Sequence, residues 1–264
     1  ENSSNDMFKL STTTLKSVLR PPAAKSSFTG TGSSSLAART STLASRSKSS
    51  TRRFTVRMGP PIPPNSHIGH TMGGSRCGAK AHIEVYLDYT CPFSAKAYFM
   101  LFNKVSPHYG DKLAVTFYHQ VQSWHPQSAY CHEAALAVTA VAGQDAFWKF
   151  SNALMENQAD YFDTVTYDLT RRQIYEKLAD LAATVGVDKA KVLEALELDK
   201  KAIADGAQNP GNSVTQSMKW EMKASRQMSM HVSPTTTLNG IVYDTSSGWT
   251  LEQWTELLDP VINA

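Results

Sequence analysis

The stretch that decides the fold runs from Ala81 to Pro107 and has the sequence AHIEVYLDYTCPFSAKAYFMLFNKVSP. Apolar and aromatic side chains occupy every second position from 83 to 89, and this period of two predicts a β-strand over 82–89. Apolar residues then recur at helical spacing, which predicts a helix over 95–105. The motif Cys-Pro-Phe-Ser, at 91–94, therefore lies where a strand gives way to a helix.

This placement gives Cys91 a chemical role as the candidate nucleophile. A cysteine at a helix N-terminus faces unpaired backbone N–H groups and the positive end of the helix dipole. Both favour the thiolate, which is the reactive form. Pro92 suits the first helical turn, and Ser94 stands where a Cys-x-x-Cys redox pair has its second cysteine. The hydroxyl of Ser94 can hydrogen-bond a thiolate but cannot form a disulfide. The alternative is that Cys91 is an ordinary small buried residue.

The C-terminal part of the chain supplies a second pattern. Residues 232–243, VSPTTTLNGIVY, predict a strand, an Asn-Gly turn and a second strand, which is a strong hairpin signal. Pro234 stands at the entrance of the first strand, where proline is tolerated. Thr250 and Gln253 fit a capping box, so we expect a final helix that runs to about residue 261.

The order of these elements resembles the thioredoxin fold, and specifically its DsbA-like branch. The order begins with a strand, the Cys-x-x-Ser motif, a helix and a second strand over 113–119. A helical interval of about 110 residues follows, and then come the hairpin and the final helix. The resemblance covers roughly 81–264 and implies an α/β thioredoxin fold with a large all-helical insertion. It also implies that Pro234 is a cis-proline lying against Cys91. Ser233 would then offer backbone hydrogen bonds to a bound thiol or peptide.

The expected domain organisation follows from these patterns and from composition. We predict a disordered organellar transit peptide over 1–57 and a Pro/Gly-rich linker over 58–80. A thioredoxin-like domain is expected over 81–122 and 227–264, with an inserted helical domain over 123–226.

Charge is distributed unevenly along the chain. Residues 7–83 hold twelve Lys or Arg and no acidic residue, whereas residues 84–264 carry a net charge of −7. An amphipathic, Ser- and Arg-rich, acid-free N-terminus is typical of a transit peptide. A mitochondrial location is favoured, with a plastid or the cytoplasm as alternatives. The acidic remainder argues against a nucleic-acid partner, and no apolar run reaches the roughly 18 residues that a membrane span needs.

The loop after the second predicted strand holds further candidates. Trp124 and His125 are placed to reach the edge of the active-site face and contact substrate, although they would equally serve to pin the loop to the helical insertion. Histidines and a cysteine cluster in this part of the sequence, but their spacing matches no zinc-ligand pattern, and no metal is expected. With Pro92, Phe93, Ser233 and Pro234, these two residues complete the candidate substrate-binding set.

Three functions are consistent with the sequence. The first is a thiol–disulfide oxidoreductase in which Cys91, assisted by Ser94, forms a mixed disulfide with a small thiol or disulfide substrate or with a protein disulfide. Because Ser94 cannot resolve that disulfide, an outside thiol is needed, and glutathione is expected as co-substrate, with no tightly bound cofactor. The second is a glutathione-dependent transferase or isomerase, since kappa-class glutathione transferases and 2-hydroxychromene-2-carboxylate isomerases share this arrangement. The third is a non-catalytic thioredoxin-like binding module.

Overall fold

The structure is a computed structural model that describes residue 63 and residues 68–264. The predicted transit peptide over 1–57 lies outside the described residues, as does most of the proline-rich part of the predicted linker.

The described residues form a mixed five-stranded sheet in the order β1-β3-β2-β4-β5. Its strands are β1 His70–Gly73, β2 Ala81–Leu87, β3 Leu113–His119, β4 Thr235–Leu238 and β5 Ile241–Tyr243. The central pair, β2 and β3, is parallel, while the other three pairings are antiparallel. Asn239 and Gly240 both adopt positive φ in the turn that joins β4 to β5, as the predicted Asn-Gly hairpin requires.

Nine α-helices surround this sheet in the described part of the chain. They are α1 Pro92–Met100, α2 Ser106–Tyr109, α3 Ser128–Glu156, α4 Asp163–Thr166, α5 Arg171–Thr184, α6 Lys189–Leu196, α7 Lys200–Ala204, α8 Thr215–Gln227 and α9 Leu251–Ile262. Helices α3 to α8 lie between β3 and β4 in the chain, so the thioredoxin fold with an all-helical insertion is confirmed. None of the helices among the described residues is both long and apolar enough to cross a membrane.

The core forms along the face of β2 that the alternation predicted. Ile83, Val85, Leu87 and Tyr89 are fully buried, and α9 packs against β2. Helix α9 begins with the expected capping box, in which Thr250 accepts a hydrogen bond from the backbone N–H of Gln253 and the Gln253 side chain reaches back to the Thr250 amide.

One strand arises where the sequence predicted only a linker. Residues His70–Gly73 form β1 and pair antiparallel with β3. Without β1, the outer edge of β3 would expose unpaired backbone groups. A hydrogen bond of 2.9 Å between the hydroxyls of Thr71 and Thr116 supports the pairing. Four residues with a Gly at the end carry too little alternation to be recognised as a strand from sequence.

The helical insertion has a break between two of its short helices. Helices α6 and α7 follow one another in the chain without forming one continuous helix. Asp199 causes the break, because its carboxylate accepts a hydrogen bond from the Ala202 amide and thereby caps a new helix.

Candidate active site

Cys91 occupies the N-cap position of α1, immediately before Pro92. Its Sγ atom lies 3.5 Å from the backbone carbonyl oxygen of Ser233, to which the thiol donates, and only 4% of the residue is exposed. The peptide bond between Ser233 and Pro234 is cis. The two sequence patterns, 142 residues apart, therefore meet at one sulfur atom.

The hydroxyl of Ser94 bonds to the backbone at the end of β2. Ser94 is fully buried one turn into α1, and its Oγ accepts a hydrogen bond of 3.2 Å from the backbone N–H of Asp88. Ser94 thus joins the helix to the end of β2. In this contact the Ser94 hydroxyl is the acceptor, so the contact does not use the O–H that the sequence suggested as a donor to a thiolate.

A buried carboxylate beneath the Cys91 turn is the main feature that the sequence analysis missed. Asp88 is fully buried, and its Oδ1 accepts hydrogen bonds of 2.8 Å from the amide of Thr90, from the hydroxyl of Thr90 and from the hydroxyl of Ser128. Its Oδ2 accepts a hydrogen bond of 2.9 Å from the Gln122 amide and lies 3.4 Å from Nδ1 of His125. Asp88 therefore ties the cysteine turn to the loop after β3 and to the start of α3.

Two glutamine side chains complete the support of the turn. Gln158 donates from Nε2 to the backbone carbonyls of Tyr89 and Cys91, at 3.0 and 3.4 Å. Gln122 accepts a hydrogen bond of 3.3 Å from the amide of Ser233. The helical insertion and the loop after β3 thus hold the backbone on both sides of the thiol.

The predicted substrate-binding residues differ in exposure, from the buried Ser233 and the half-buried Pro234 to exposed residues. Phe93 and Trp124 are 58% and 56% exposed, and Pro92 is also exposed. His125 is half-buried because its ring turns inward to Asp88. It lines a cavity of about 280 Å³ together with Thr90, Pro92, Gln127, Phe162, Asp163 and Thr164. The structure therefore brings Pro92 and His125 together, whereas Trp124 does not line this cavity.

Three buried histidines lie behind the site. Burial lowers the pKa of His70 and of His132 from 6.5 to about 4, and it lowers the pKa of His119 well below 6.5. All three rings are therefore neutral near pH 7. Within the described part of the chain, no group of histidine, cysteine and acidic side chains has an arrangement that could hold a metal ion.

The other two cysteines, Cys131 and Cys77, are not among the residues that form the candidate active site. Cys131 lies fully buried in α3, and burial raises the pKa of its thiol, as expected of a small core residue. Cys77 is exposed in the turn after β1. All three cysteines are free.

With this geometry established, comparisons with known proteins identify the family. A family model described as thioredoxin matches residues 67–260. The chain belongs to this thioredoxin family. A search of curated protein sequences found no match.

Solved structures of similar fold come from thiol–disulfide proteins. A candidate protein-disulfide isomerase from Pseudomonas syringae has a TM-score of 0.58 and 24% identity, over 72% of this chain and 97% of that one. BdbD from Bacillus subtilis has a TM-score of 0.52 and 18% identity, over 75% and 100% of the two chains. Mtb DsbA has a TM-score of 0.52 and 19% identity, over 74% and 93%. These likenesses bear out the DsbA-like fold.

The sequence did not mark Asp88 because this residue falls within the predicted strand over 82–89, whereas β2 ends at Leu87. Its position offered one signal, since an aspartate two residues before a threonine, at the start of a turn, favours an Asx-type hydrogen bond. The partnership with Ser128 and Gln122 had no such signal, because those residues are 40 and 34 positions away.

Proposed function

We propose that this thioredoxin-family protein is a thiol–disulfide oxidoreductase in which Cys91 is the single nucleophile and glutathione is the second thiol. The observation that carries the proposal is the position of Sγ, at the N-terminus of α1 and 3.5 Å from the Ser233 carbonyl. A helix N-terminus stabilises a thiolate.

The proposed reaction has two exchange steps. The Cys91 thiolate first attacks a disulfide R–S–S–R′, so that a Cys91–S–S–R bond forms and R′–S⁻ leaves. A glutathione thiol then loses its proton and attacks the R sulfur, which yields glutathionyl–S–S–R and restores the Cys91 thiolate. Each step breaks one S–S bond and forms another, and no electron acceptor is needed.

Local geometry supports the need for an outside thiol. Ser94, at the position of a second cysteine, cannot form a disulfide, and Cys131 is fully buried in the core. Phe93 and Pro92 are exposed beside the thiol and would contact the substrate. The Ser233 amide makes a hydrogen bond of 3.3 Å, at the long end of the range, and the Ser233 carbonyl accepts from the weak S–H donor of Cys91. A bound thiol or peptide would replace both contacts.

The decisive experiment compares wild type with Cys91→Ser in glutathione-dependent reduction of a peptide–glutathione mixed disulfide. We expect the variant to fall to the uncatalysed rate. The matched control Cys131→Ser should retain activity, because that thiol is buried. Unchanged exchange in Cys91→Ser would refute the proposal. Conjugation of a model electrophile to glutathione, without disulfide exchange, would instead indicate a kappa-class transferase.

A gain-of-function variant tests the single-cysteine mechanism. Residues three apart on a helix have Cβ atoms about 5–6 Å apart, so Ser94→Cys places a second thiol near the distance that a disulfide needs. We expect the thiol introduced at position 94 to form a disulfide with Cys91, so that the variant releases its substrate without glutathione. Continued dependence on glutathione would show that position 94 does not reach the mixed disulfide.

The proposal for cellular location rests on composition alone. We propose that residues 1–57, which are basic and free of acidic residues after Asp6, direct the protein to the mitochondrion. A fluorescent reporter fused to these residues should enter mitochondria, and a version with Lys9, Lys16 and Arg20 changed to Glu should not. Plastid or cytoplasmic fluorescence would contradict the mitochondrial assignment.

A further inference from the structure

Three buried histidines form a continuous hydrogen-bonded chain across the interior. His70 lies in β1, His119 ends β3 and His132 lies in α3, and none is more than 4% exposed. Nε2 of His70 is 3.1 Å from Nε2 of His119, and Nδ1 of His119 is 2.7 Å from Nδ1 of His132. His119 thus bridges the other two rings through both of its nitrogens.

The two ends of this histidine chain face different surroundings. At the outer end, Nδ1 of His70 is 2.9 Å from Oε1 of the exposed residue Gln144. At the inner end, Nε2 of His132 lies 3.9 Å from Oδ1 of Asp88 and has no hydrogen-bond partner. The histidine chain therefore extends from the protein surface to the carboxylate that supports the Cys91 turn.

The histidine chain can hold its protons in two orders. A neutral imidazole has one N–H and one bare nitrogen, so the state of one ring fixes the state of its neighbour. In the outward order, His70 donates to Oε1 of Gln144, His119 donates to His70, and His132 donates to His119. This order leaves Nε2 of His132 bare, in agreement with its lack of a partner. In the inward order every N–H is reversed, so that Nε2–H of His132 points at Asp88. Nδ1 of His70 is then bare, which requires the Gln144 amide to turn its NH2 group towards it.

The groups around the histidine chain favour acceptance of a proton at its inner end, Nε2 of His132. Asp88 and His119 are the titratable groups nearest His132, and the ring of Tyr89 lies 4.7 Å from its ring centre. At the outer end, Arg76 opposes a positive charge on His70. A bare nitrogen and a carboxylate oxygen facing one another are two acceptors without a hydrogen between them. A buried pair of this kind is stabilised by one added proton.

We propose that this histidine chain is a proton relay for exchange at Cys91, an inference that rests on the proposed function. When a thiol attacks the Cys91 mixed disulfide, Cys91 leaves as a thiolate and the thiol proton must be removed. His125, which lines the cavity, passes that proton through Asp88 to Nε2 of His132. One proton then moves from His132 to His119 and one from His119 to His70. The Nδ1 proton of His70 leaves to solvent beside Gln144.

The relay balances and returns to its starting order. One proton enters and one leaves, each ring ends neutral, and no histidine is oxidised. The new N–H of His132 then faces Asp88, which offsets the negative charge of the restored thiolate. In the next cycle the leaving thiolate R′–S⁻ takes a proton back through Asp88, and the chain reverts. A relay is useful because a bound substrate would cover His125, whose side chain is only 20% exposed.

Nitrogen NMR of the histidine rings tests the relay without an activity assay. Both samples carry Cys77→Ser, so that only Cys91 is modified. One is the reduced protein at a pH where Cys91 is ionised, and in the other Cys91 carries a neutral S-methylthio group. We expect the protonated nitrogen of His132 to change from Nε2 to Nδ1 on blocking, with matching reversals in His119 and His70. Exposed His108 is the internal control, and the reagent should cause no change in Cys91→Ser. Identical tautomers in both states would overturn the proposal.

A kinetic experiment separates proton transfer from a structural role. His70→Gln interrupts the outer end of the chain, and His108→Gln is the matched surface control. We expect thiol release of the mixed disulfide to slow about tenfold in His70→Gln, since general acid–base transfer is typically worth at least that much. Reaction with an aryl disulfide, whose leaving thiolate stays ionised, should keep its wild-type rate. Equal slowing of both reactions, or of neither, would contradict the relay. If His70→Gln does not fold, the NMR comparison decides alone.

The outcomes also separate the relay from the proposed function. Loss of exchange in Cys91→Ser together with unchanged ring tautomers would reject the relay and keep the single-cysteine mechanism. Retained exchange in Cys91→Ser would reject the mechanism itself.

Discussion

The two sides of the Cys91 turn differ sharply in how their polar groups are bonded. We call Asp88 and its donors Thr90, Gln122 and Ser128 the floor. We call the opposite side, formed by Cys91, Pro92, Phe93 and Ser233, the rim. The floor is fully or almost fully buried, and its carboxylate accepts four hydrogen bonds of 2.8–2.9 Å. On the rim, the thiol makes one contact of 3.5 Å, and the Ser233 hydroxyl has no partner. The fold thus fixes the Cys91 turn from beneath and leaves hydrogen-bonding capacity above it unused.

The largest expected effect comes from breaking the floor. Asp88→Ala leaves four buried donors without their acceptor, at Thr90, Ser128 and Gln122. We expect the free energy of unfolding to fall by about 3–5 kcal/mol, measured by urea denaturation at pH 7. Asp88→Asn keeps one acceptor oxygen and should lose less. A change below about 1 kcal/mol in Asp88→Ala would show that the floor does not hold the turn.

Acid should lower the free energy of unfolding, because it protonates the buried histidines behind the floor. The pKa of His70 and of His132 is lowered by burial to about 4, so their contribution to stability is present above pH 6.5 and is lost as the pH falls towards 4. Burial raises the pKa of Glu221 to about 7, so its contribution has the opposite sign and partly offsets the loss between pH 7 and 5. His119 adds to the loss. We expect a net decrease of about 2–3 kcal/mol from pH 7 to pH 5.

Urea denaturation at pH 7, 6 and 5 measures this decrease. The variant His132→Gln has one fewer histidine to protonate and should show a shallower dependence on pH than wild type. A free energy of unfolding that is flat over this range would mean that the rings are already charged, or are exposed, in the folded protein.

A smaller effect is expected on the rim, where a substitution should change substrate binding rather than stability. Phe93 is 58% exposed, and its ring lies 5.7 Å from the ammonium of Lys96. Phe93→Ala should change the free energy of unfolding by no more than about 0.5 kcal/mol. It should raise KM for an aromatic mixed disulfide about three- to tenfold, since one lost apolar contact is worth about 1 kcal/mol. The comparison with Phe93→Leu tests whether apolar contact suffices. Unchanged KM in both variants would remove Phe93 from the substrate site.

The smallest effect is expected at Ser233. Its backbone makes the contacts at the site, while its buried hydroxyl has no hydrogen-bond partner. Ser233→Ala removes that hydroxyl and keeps the backbone, so stability and activity should stay within about 0.5 kcal/mol and twofold of wild type. Thermal denaturation and the exchange assay measure both. A large loss of activity would assign the hydroxyl to substrate binding.

Much of the local structure was predictable because local patterns specify it. The alternation from Ile83 to Tyr89, the Asn239–Gly240 turn and the Thr250–Gln253 capping box depend on neighbours in sequence, and all three occur as expected. The edge strand at 70–73 was missed because its pairing partner, β3, is more than 40 residues away.

The sequence by itself determined the arrangement of one cysteine at the start of a helix, with a serine one turn later. That arrangement follows from the strand-to-helix change around Cys91 and needs only short-range rules. Tertiary structure alone decided what surrounds it. Asp88 meets Ser128, and His70 meets His119 and His132, only because β1, β2, β3 and α3 converge. Buried polar groups must find partners wherever the packed elements bring them, and that choice is fixed by the whole fold rather than by any local pattern.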